Sequence, residues 1–490
     1  MPTLKLPFEA PKSMPKGDAL LKGGLIEMLS VDFQEACRKN LYLLEYLHML
    51  PIEEIGIPKY YVSPGRELGE EKTPNIIYPT QGGVFVHIYP QPTSERHWYI
   101  PLEPILTTNM DALMPRIEEA LLDYTKDFED LETDDEKKAA FDKALDKICR
   151  EGKSELSEGG GAAYSKGKSG GFLDSIRKTL KLSRGGGKIT LTRDEIWAVK
   201  YLVKREKVGV GLLDPLLGDT FTEDVSCSGI GQIFIEHKIF KSVLTAIDIP
   251  TMEELDDFAK RMSERMKRPV TLNKPIQDAT LPDGSRINIV YGEDVSRRGT
   301  NFTIRRAMGV PTSILEIVGF GTMTYQMAAY MSLVLEEDMN VFVAGETASG
   351  KTTTINAITA FMTPETKIVS IEDTPELMVP HKNWLREVSR EGGEKGAAVG
   401  MFDLLKAALR QRPNMIIIGE IRGSEGLIAF QAMQTGHGVM ATFHAASVEK
   451  LIQRLTGDPI NVPKNYIDCL NVVLIQSAVK LPNGKGARRV

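Results

Sequence analysis

The stretch VFVAGETASGKTTTINAI satisfies the pattern GxxxxGK[ST] from Gly345 to Thr352, with a β-type apolar run before it and helix formers after it. A loop of this type binds phosphate. Its glycines, Gly345 and Gly350, let the backbone curl so that the N–H groups of Glu346, Thr347, Ala348 and Ser349 face the oxygens of a nucleotide. Lys351 brings a positive charge to the phosphates and Thr352 a hydroxyl to Mg²⁺, while Thr353 continues the first helical turn. The cofactors this loop calls for are ATP and Mg²⁺.

Three further segments hold groups that could work on such a substrate. KIVSIEDTPEL reads as a buried strand ending in Glu372 and Asp373. Side chains just past the C-terminal ends of strands face the nucleotide in a sheet of this type. Glu372 there either positions water, free or Mg²⁺-bound, or belongs to acids that cap the turn before Pro375. RPNMIIIGEIRG places Glu420 directly after a short apolar strand, where a carboxylate could polarise attacking water. Arg422 could sense phosphate or tie to a neighbouring subunit. QTGHGVMATFHAAS puts His437 and His444 around a strand-like segment. Their spacing and the lack of a nearby Cys or carboxylate argue against zinc. An isolated pair would read as structural histidines; beside the loop and Glu420, phosphate sensing is the better reading.

These residues need elements to carry them. After Pro311, short apolar runs alternate with longer helical stretches, the pattern of a parallel sheet with crossover helices. Residues 189–308 read as a mixed α/β domain: the helix TRDEIWAVKYLVKRE capped at Thr192 or Asp194, the strand IGQIFIEHKIF, the amphipathic helix MEELDDFAKRMSERMKR, and a turn at Asp283-Gly284 leading into RINIVYG. Residues 151–188, rich in Gly, Ser and Lys around the helical piece FLDSIRKTLKL, read as a linker. Residues 105–150 are helical, with Leu113, Ile117, Leu121 and Leu122 at helical spacing and an acidic run read as a solvated face. Residues 1–104 read as a small α+β region, and the core runs from 309 to 490.

Composition bounds the class. The chain has 490 residues, 42% hydrophobic and 26% charged, with a formal net charge of -6. That length suggests about three domains at roughly 150 residues each. A slightly acidic balance argues against a general nucleic-acid binder. No apolar run reaches the ~20 residues of a membrane span, and the N-terminus has no secretory h-region. The four cysteines are far apart, so a reducing cytosol fits better than a disulfide scaffold.

GETASGKTT, VSIEDTPEL, RQRPNMIIIGEIR and QAMQTGHGVMATFHA together resemble the P-loop, aspartate box, Walker B and histidine box of the type II/IV secretion ATPase superfamily. The run from about 211 to 480 is most similar to its archaeal branch, and within that to archaellum (archaeal flagellum) motor ATPases. The resemblance implies an ATP-hydrolysing homo-hexamer with a RecA-like P-loop core behind a PAS-like mixed α/β domain. It implies Glu420 as the main catalytic carboxylate, Glu372 assisting, and arginines of the earlier domain completing the site. Arg286, Arg297, Arg298 and Arg305 are the candidates. Partners would be a polytopic membrane platform protein and an accessory cytoplasmic nucleotide-binding protein. The location would be cytoplasmic, at the inner face of the membrane, with no nucleic acid bound. Two departures are visible. Gly423 stands where relatives commonly carry Asp, and the sequence stops at KLPNGKGARRV where relatives continue. Three other readings remain beside the archaellum motor: an adhesive-pilus or secretion ATPase of the same family, a DNA-translocating RecA-like ATPase, and a scaffold that binds ATP but hydrolyses it poorly.

Overall fold

The computed structural model describes residues 3–11, 18–21, 24–91, 96–106, 108–128, 131, 133–154, 188–307, 311–390, 398–482, 484 and 486–490. Most of the expected linker, with its short helical piece, lies outside these. The chain divides into two compact units, Met1–Arg306 and Ala307–Val490.

The first unit is built on an eleven-stranded sheet. Its N-terminal strands are β1 (Thr3–Leu4), β2 (Lys59–Tyr60), β3 (Ile76–Pro79), β4 (Phe85–Tyr89) and β5 (Trp98–Leu102). A separate parallel ribbon joins β6 (Cys149–Glu151) to β7 (Ile189–Leu191), on either side of the glycine-rich stretch. The main sheet continues with β8 (Thr222–Cys227), β9 (Gly231–His237), β10 (Lys241–Ile249), β11 (Ile276–Thr280), β12 (Arg286–Val290) and β13 (Asn301–Arg305). Strand order is β11-β12-β13-β8-β9-β10-β5-β4-β3-β2, with β1 added on β10.

Residues 1–104 and 189–308 therefore share one sheet, and the sequence boundaries drawn between them do not separate compact units. The reason is visible in the period-two pattern of the N-terminal strands. Ile76, Tyr78, Val86, Ile88 and Tyr99 pack with Val225, Ile233, Ile235 and Val243 on one face. Ile77, Phe85, Tyr89, Trp98 and Ile100 pack beneath the helices Val31–Lys39 and Leu41–Met49 on the other. Strands apolar on both faces need cover on both faces, and β10 supplies the edge by pairing in parallel with β5. The helices Met110–Leu121, Asp134–Ile148 and Arg193–Lys207 make a third cluster. Thr133 and Thr192 start the last two, each with a capping box completed by Glu136 and Glu195.

In the second unit, β14 (Val341–Gly345), β15 (Ile368–Glu372), β16 (Trp384–Val388), β17 (Met415–Ile418), β18 (Gly438–Phe443), β19 (Val472–Lys480) and β20 (Gly486–Arg489) lie in the order β16-β15-β17-β18-β14-β19-β20. Every neighbouring pair is parallel except β19–β20. Helices cover both faces: Met401–Arg410, Glu425–Gln434 and Val448–Thr456 on one, Ile314–Gly319, Tyr325–Glu336 and Lys351–Ile358 on the other. Such doubly wound sheets collect their loops at the C-terminal strand edge. That edge holds the residues following β14, β15, β17 and β18.

Candidate functional site

The phosphate loop joins β14 to the helix Lys351–Ile358. Gly350 caps this helix in the left-handed region (φ 98°), and Ala348 is also left-handed (φ 59°). For an alanine that conformation costs about 1–2 kcal/mol, so the surrounding contacts must hold it. Gly345 approaches so closely that a Cβ would lie 2.2 Å from the Gln476 carbonyl oxygen. Gln476 in turn accepts a hydrogen bond from Thr354 Oγ1 (2.8 Å), which ties β19 to the helix.

Lys351 is buried, and its ammonium donates to the carbonyls of Gly345 (3.2 Å) and Glu346 (2.9 Å). Burial lowers its pKa, and Glu420 pulls it back up. Ser349 Oγ is buried and has no hydrogen-bond partner. Thr352 and Thr353 sit half-buried in the first helical turn. The loop thus has turned backbone, a trapped ammonium and an orphaned hydroxyl. This donor set fits a Mg²⁺-nucleotide, for which Gly345 to Thr353 would hold phosphate and Thr352 the metal.

Glu420 follows β17 and lies beside this loop. Its Oε1 accepts from His444 Nε2 at 2.8 Å, and its Oε2 accepts from Arg422 Nη2. His444 Nδ1 is 3.5 Å from Lys351 Nζ. Parallel register explains the meeting: Ala344 is level with Phe443, so the next residues, Gly345 and His444, leave adjacent strands together. Burial depresses the His444 pKa, Glu420 opposes this, and Lys351, Arg422 and Arg454 add to the lowering. A neutral imidazole donating from Nε2 and accepting at Nδ1 satisfies both neighbours.

Two of the expected site residues have other partners. His437 precedes β18 and so stands at the opposite, N-terminal edge of the sheet, about 20 Å from His444 at ~3.3 Å per strand residue. There it contacts Thr435 Oγ1 at 3.1 Å and is not brought to the Lys351–Glu420 cluster. Of the two histidines, only His444 stands beside Lys351 and Glu420. Glu372 is only 1% exposed, and its carboxylate is committed to the turn after β15. Oε1 accepts from the N–H groups of Glu376 (2.7 Å) and Leu377 (2.8 Å), and Oε2 from Arg386 Nε (3.3 Å). Burial pushes its carboxyl above the usual range, against those N–H groups and Arg386. In this geometry Glu372 anchors the turn before Pro375.

Neighbouring residues complete the arrangement. Asp373 accepts from Ser389 Oγ (2.8 Å) and lies 3.8 Å from Arg422 Nη1, so it joins the Glu420–Arg422 pair. Glu425 Oε1 accepts from the N–H groups of Arg422 and Gly423, both at 2.6 Å, and shapes the turn that presents Arg422. A Cβ on Gly423 would come within 3.1 Å of Glu425 Oε2. The acid at the strand end was the available signal for Asp373; nothing local marks Glu425 or Gln476.

The four arginine candidates are exposed residues of the first unit. Arg286 and Arg305 stand directly opposite each other on β12 and β13, with Asp224 on β8 the next cross-strand neighbour of Arg305. Arg297 and Arg298 lie in the connection between β12 and β13, and Arg298 lines a cleft of about 740 Å³ with Ser226, Gln232 and Phe234. Among the described residues, no His/Cys/Asp/Glu cluster suits a metal and no helix is long and apolar enough to cross a membrane.

A doubly wound parallel sheet carrying this loop and a strand-end carboxylate defines a P-loop α/β protein. The sequence profile of the family described as Type II/IV secretion system protein matches residues 207–482, and the chain belongs to that family. An uncharacterized protein of Methanocaldococcus jannaschii, MJ0900, is 42% identical over 466 residues, covering 95% of this chain and 81% of that one. The type IV secretion system protein PtlH of Bordetella pertussis is 31% identical over 272 residues, covering 49% and 80%. The X-ray structure of the Legionella pneumophila ATPase DotB covers 55% of this chain and 76% of its own, at 18% identity and a TM-score of 0.41.

Proposed function

We propose that this chain is the ATP-hydrolysing motor subunit of a secretion or type IV pilus-like filament system, working as a homo-hexamer at the inner face of the cell membrane. The observation that carries the reading is the meeting of Glu420, His444 and Lys351 at one end of the parallel sheet. Lys351 moves from its own loop carbonyls to the substrate phosphates. Thr352 would hold Mg²⁺, which would supply charge neutralisation at the phosphates. Glu420 accepts a proton from water as the water oxygen bonds the γ-phosphorus and the bond to ADP breaks. For this, one Glu420 oxygen must be released. Arg422 is the group free to leave, being 67% exposed at its side chain.

An arginine from the first unit completes the site across subunits. Arg286, Arg297, Arg298 and Arg305, all exposed, are the candidates. The filament favoured by the sequence motifs is the archaellum, with a polytopic membrane platform and an accessory nucleotide-binding protein as partners. The likeness to PtlH supports protein secretion as the second reading.

Mg²⁺-dependent phosphate release per subunit, measured over a wide protein concentration range, tests the proposal. Specific activity should rise with concentration and vanish in Lys351→Ala. Full activity in Lys351→Ala would end the ATPase reading, and flat activity would end the shared site. Deleting the gene separates the two systems: loss of filaments and motility supports the archaellum, whereas loss of exported protein with filaments intact supports secretion.

A further inference from the structure

The hairpin of β19 and β20 reaches the phosphate loop, and no chemistry discussed above uses it. β19 runs parallel to β14 until Gln476 is level with Gly345, then continues past the sheet edge, where β20 returns antiparallel to it. This brings Arg488, opposite Ala478, onto the loop. Its Nε donates to the Ala348 carbonyl at 3.2 Å. Its Cδ would lie 3.2 Å from a Cβ on Gly350, so the arginine stem packs against the helix cap. Ala348 and Gly350 are the two left-handed residues of the loop. The next residue binds elsewhere: Arg489 Nη1 donates to Phe320 O (3.2 Å), and Val490 N donates to Thr322 O (2.9 Å).

We infer that Arg488 is a positioning residue for nucleotide binding, bracing the phosphate loop from the back of its Ala348–Gly350 turn. A loop whose N–H groups face the phosphates turns carbonyls such as that of Ala348 outward. An outward carbonyl beside two left-handed residues needs a donor, and a charged guanidinium supplies a stronger hydrogen bond than water. Arg488 therefore holds the turned conformation before substrate arrives, and its loss raises the ordering cost of binding. The inference rests on the nucleotide-binding reading above.

The test is titration of the full chain with a fluorescent ADP analogue and Mg²⁺, with thermal unfolding of each variant as the folding control. Arg488→Ala should raise Kd about tenfold, as expected for a lost charge-assisted hydrogen bond. Arg488→Lys should recover only part of this, because lysine lacks the planar fork. Arg489→Ala should bind within about twofold of wild type, since its guanidinium donates to the carbonyls of Phe320 and Arg488 and not to the phosphate loop. Should Arg488→Ala not fold, Arg488→Gln carries the same expectation of weaker binding. Equal Kd for Arg488→Ala and wild type would overturn the inference while leaving the nucleotide reading intact. So would equal weakening by Arg489→Ala, which would make the effect one of the whole hairpin. Wild-type protein that binds no nucleotide would remove the reading and the inference together.

Discussion

Glu420 Oε1 and His444 Nε2 stand 2.8 Å apart at the ends of β17 and β18, two neighbouring strands of the parallel sheet. His444 also faces Lys351, so it lies between the carboxylate and the ammonium whose charges the proposed chemistry needs. Arg422 holds the second Glu420 oxygen. The site in this form is a closed set of hydrogen bonds and ion pairs that substrate must rearrange.

Glu420→Gln should abolish turnover and spare binding. A lost general base costs about 10²–10⁴ in rate, while the phosphate loop is untouched. Phosphate release and nucleotide Kd, measured on one preparation, check this. A variant retaining a tenth of wild-type rate would move the base elsewhere.

The two histidines should separate. His444→Ala is expected to lower kcat by about tenfold, through loss of a hydrogen bond to a charged group. His437→Ala, at the far edge of the sheet, should leave kcat within about twofold. Because burial keeps the His444 pKa low, wild-type rate should hold as pH falls to about 6.5. Equal losses in both variants would put His437 in the site.

Glu372 offers a stability test. Glu372→Ala leaves the Leu377 N–H unpartnered and removes the carboxylate beside Arg386, and should destabilise the chain by about 1–3 kcal/mol. Glu372→Gln keeps an acceptor and should cost turnover less than about tenfold. Denaturant unfolding and steady-state rates measured together decide it. A hundredfold rate loss in folded Glu372→Gln would make the carboxylate itself a participant.

Buried histidines of the first unit set a pH dependence of stability. Burial holds the pKa of His87 and of His237 down at about 3. His237 Nδ1 accepts from the N–H groups of Ile239 and Phe240, both at 3.1 Å, so protonating it would break two hydrogen bonds. Below about pH 6.5 the unfolded chain binds protons that the folded chain refuses, and stability falls with pH. Between pH 7 and 5, the stability gap between wild type and His237→Gln should narrow by about 2 kcal/mol, the unfolded-state proton uptake of one histidine. Comparing the two proteins cancels opposing groups such as Asp214, whose carboxyl burial raises to about 6. A gap that stays constant over this range would mean His237 titrates normally in the folded chain.

Local pattern determined much of this protein. The phosphate loop with its flanking strand and helix, the carboxylate after MIII, and a cap at Thr192 or Asp194 were legible because each depends on a few adjacent residues and the backbone geometry they favour. Alternation in β9 and the turn at Asp283 are local in the same sense. Tertiary structure decided what depends on distant pairings. Two histidines seven residues apart looked equivalent in sequence, yet one strand carries them to opposite edges of the sheet. Glu372 and Asp373 are adjacent, but burial commits the first to a turn and leaves the second beside Arg422. Strands β2–β5 read as a separate region because nothing near them in sequence announces β10, whose edge they share. Arg488 reaches Ala348 only because β20 folds back on β19, a contact spanning most of the second unit's length. Secondary structure follows short-range sterics and periodicity, whereas a site is assembled by strand order and burial, which belong to the whole chain.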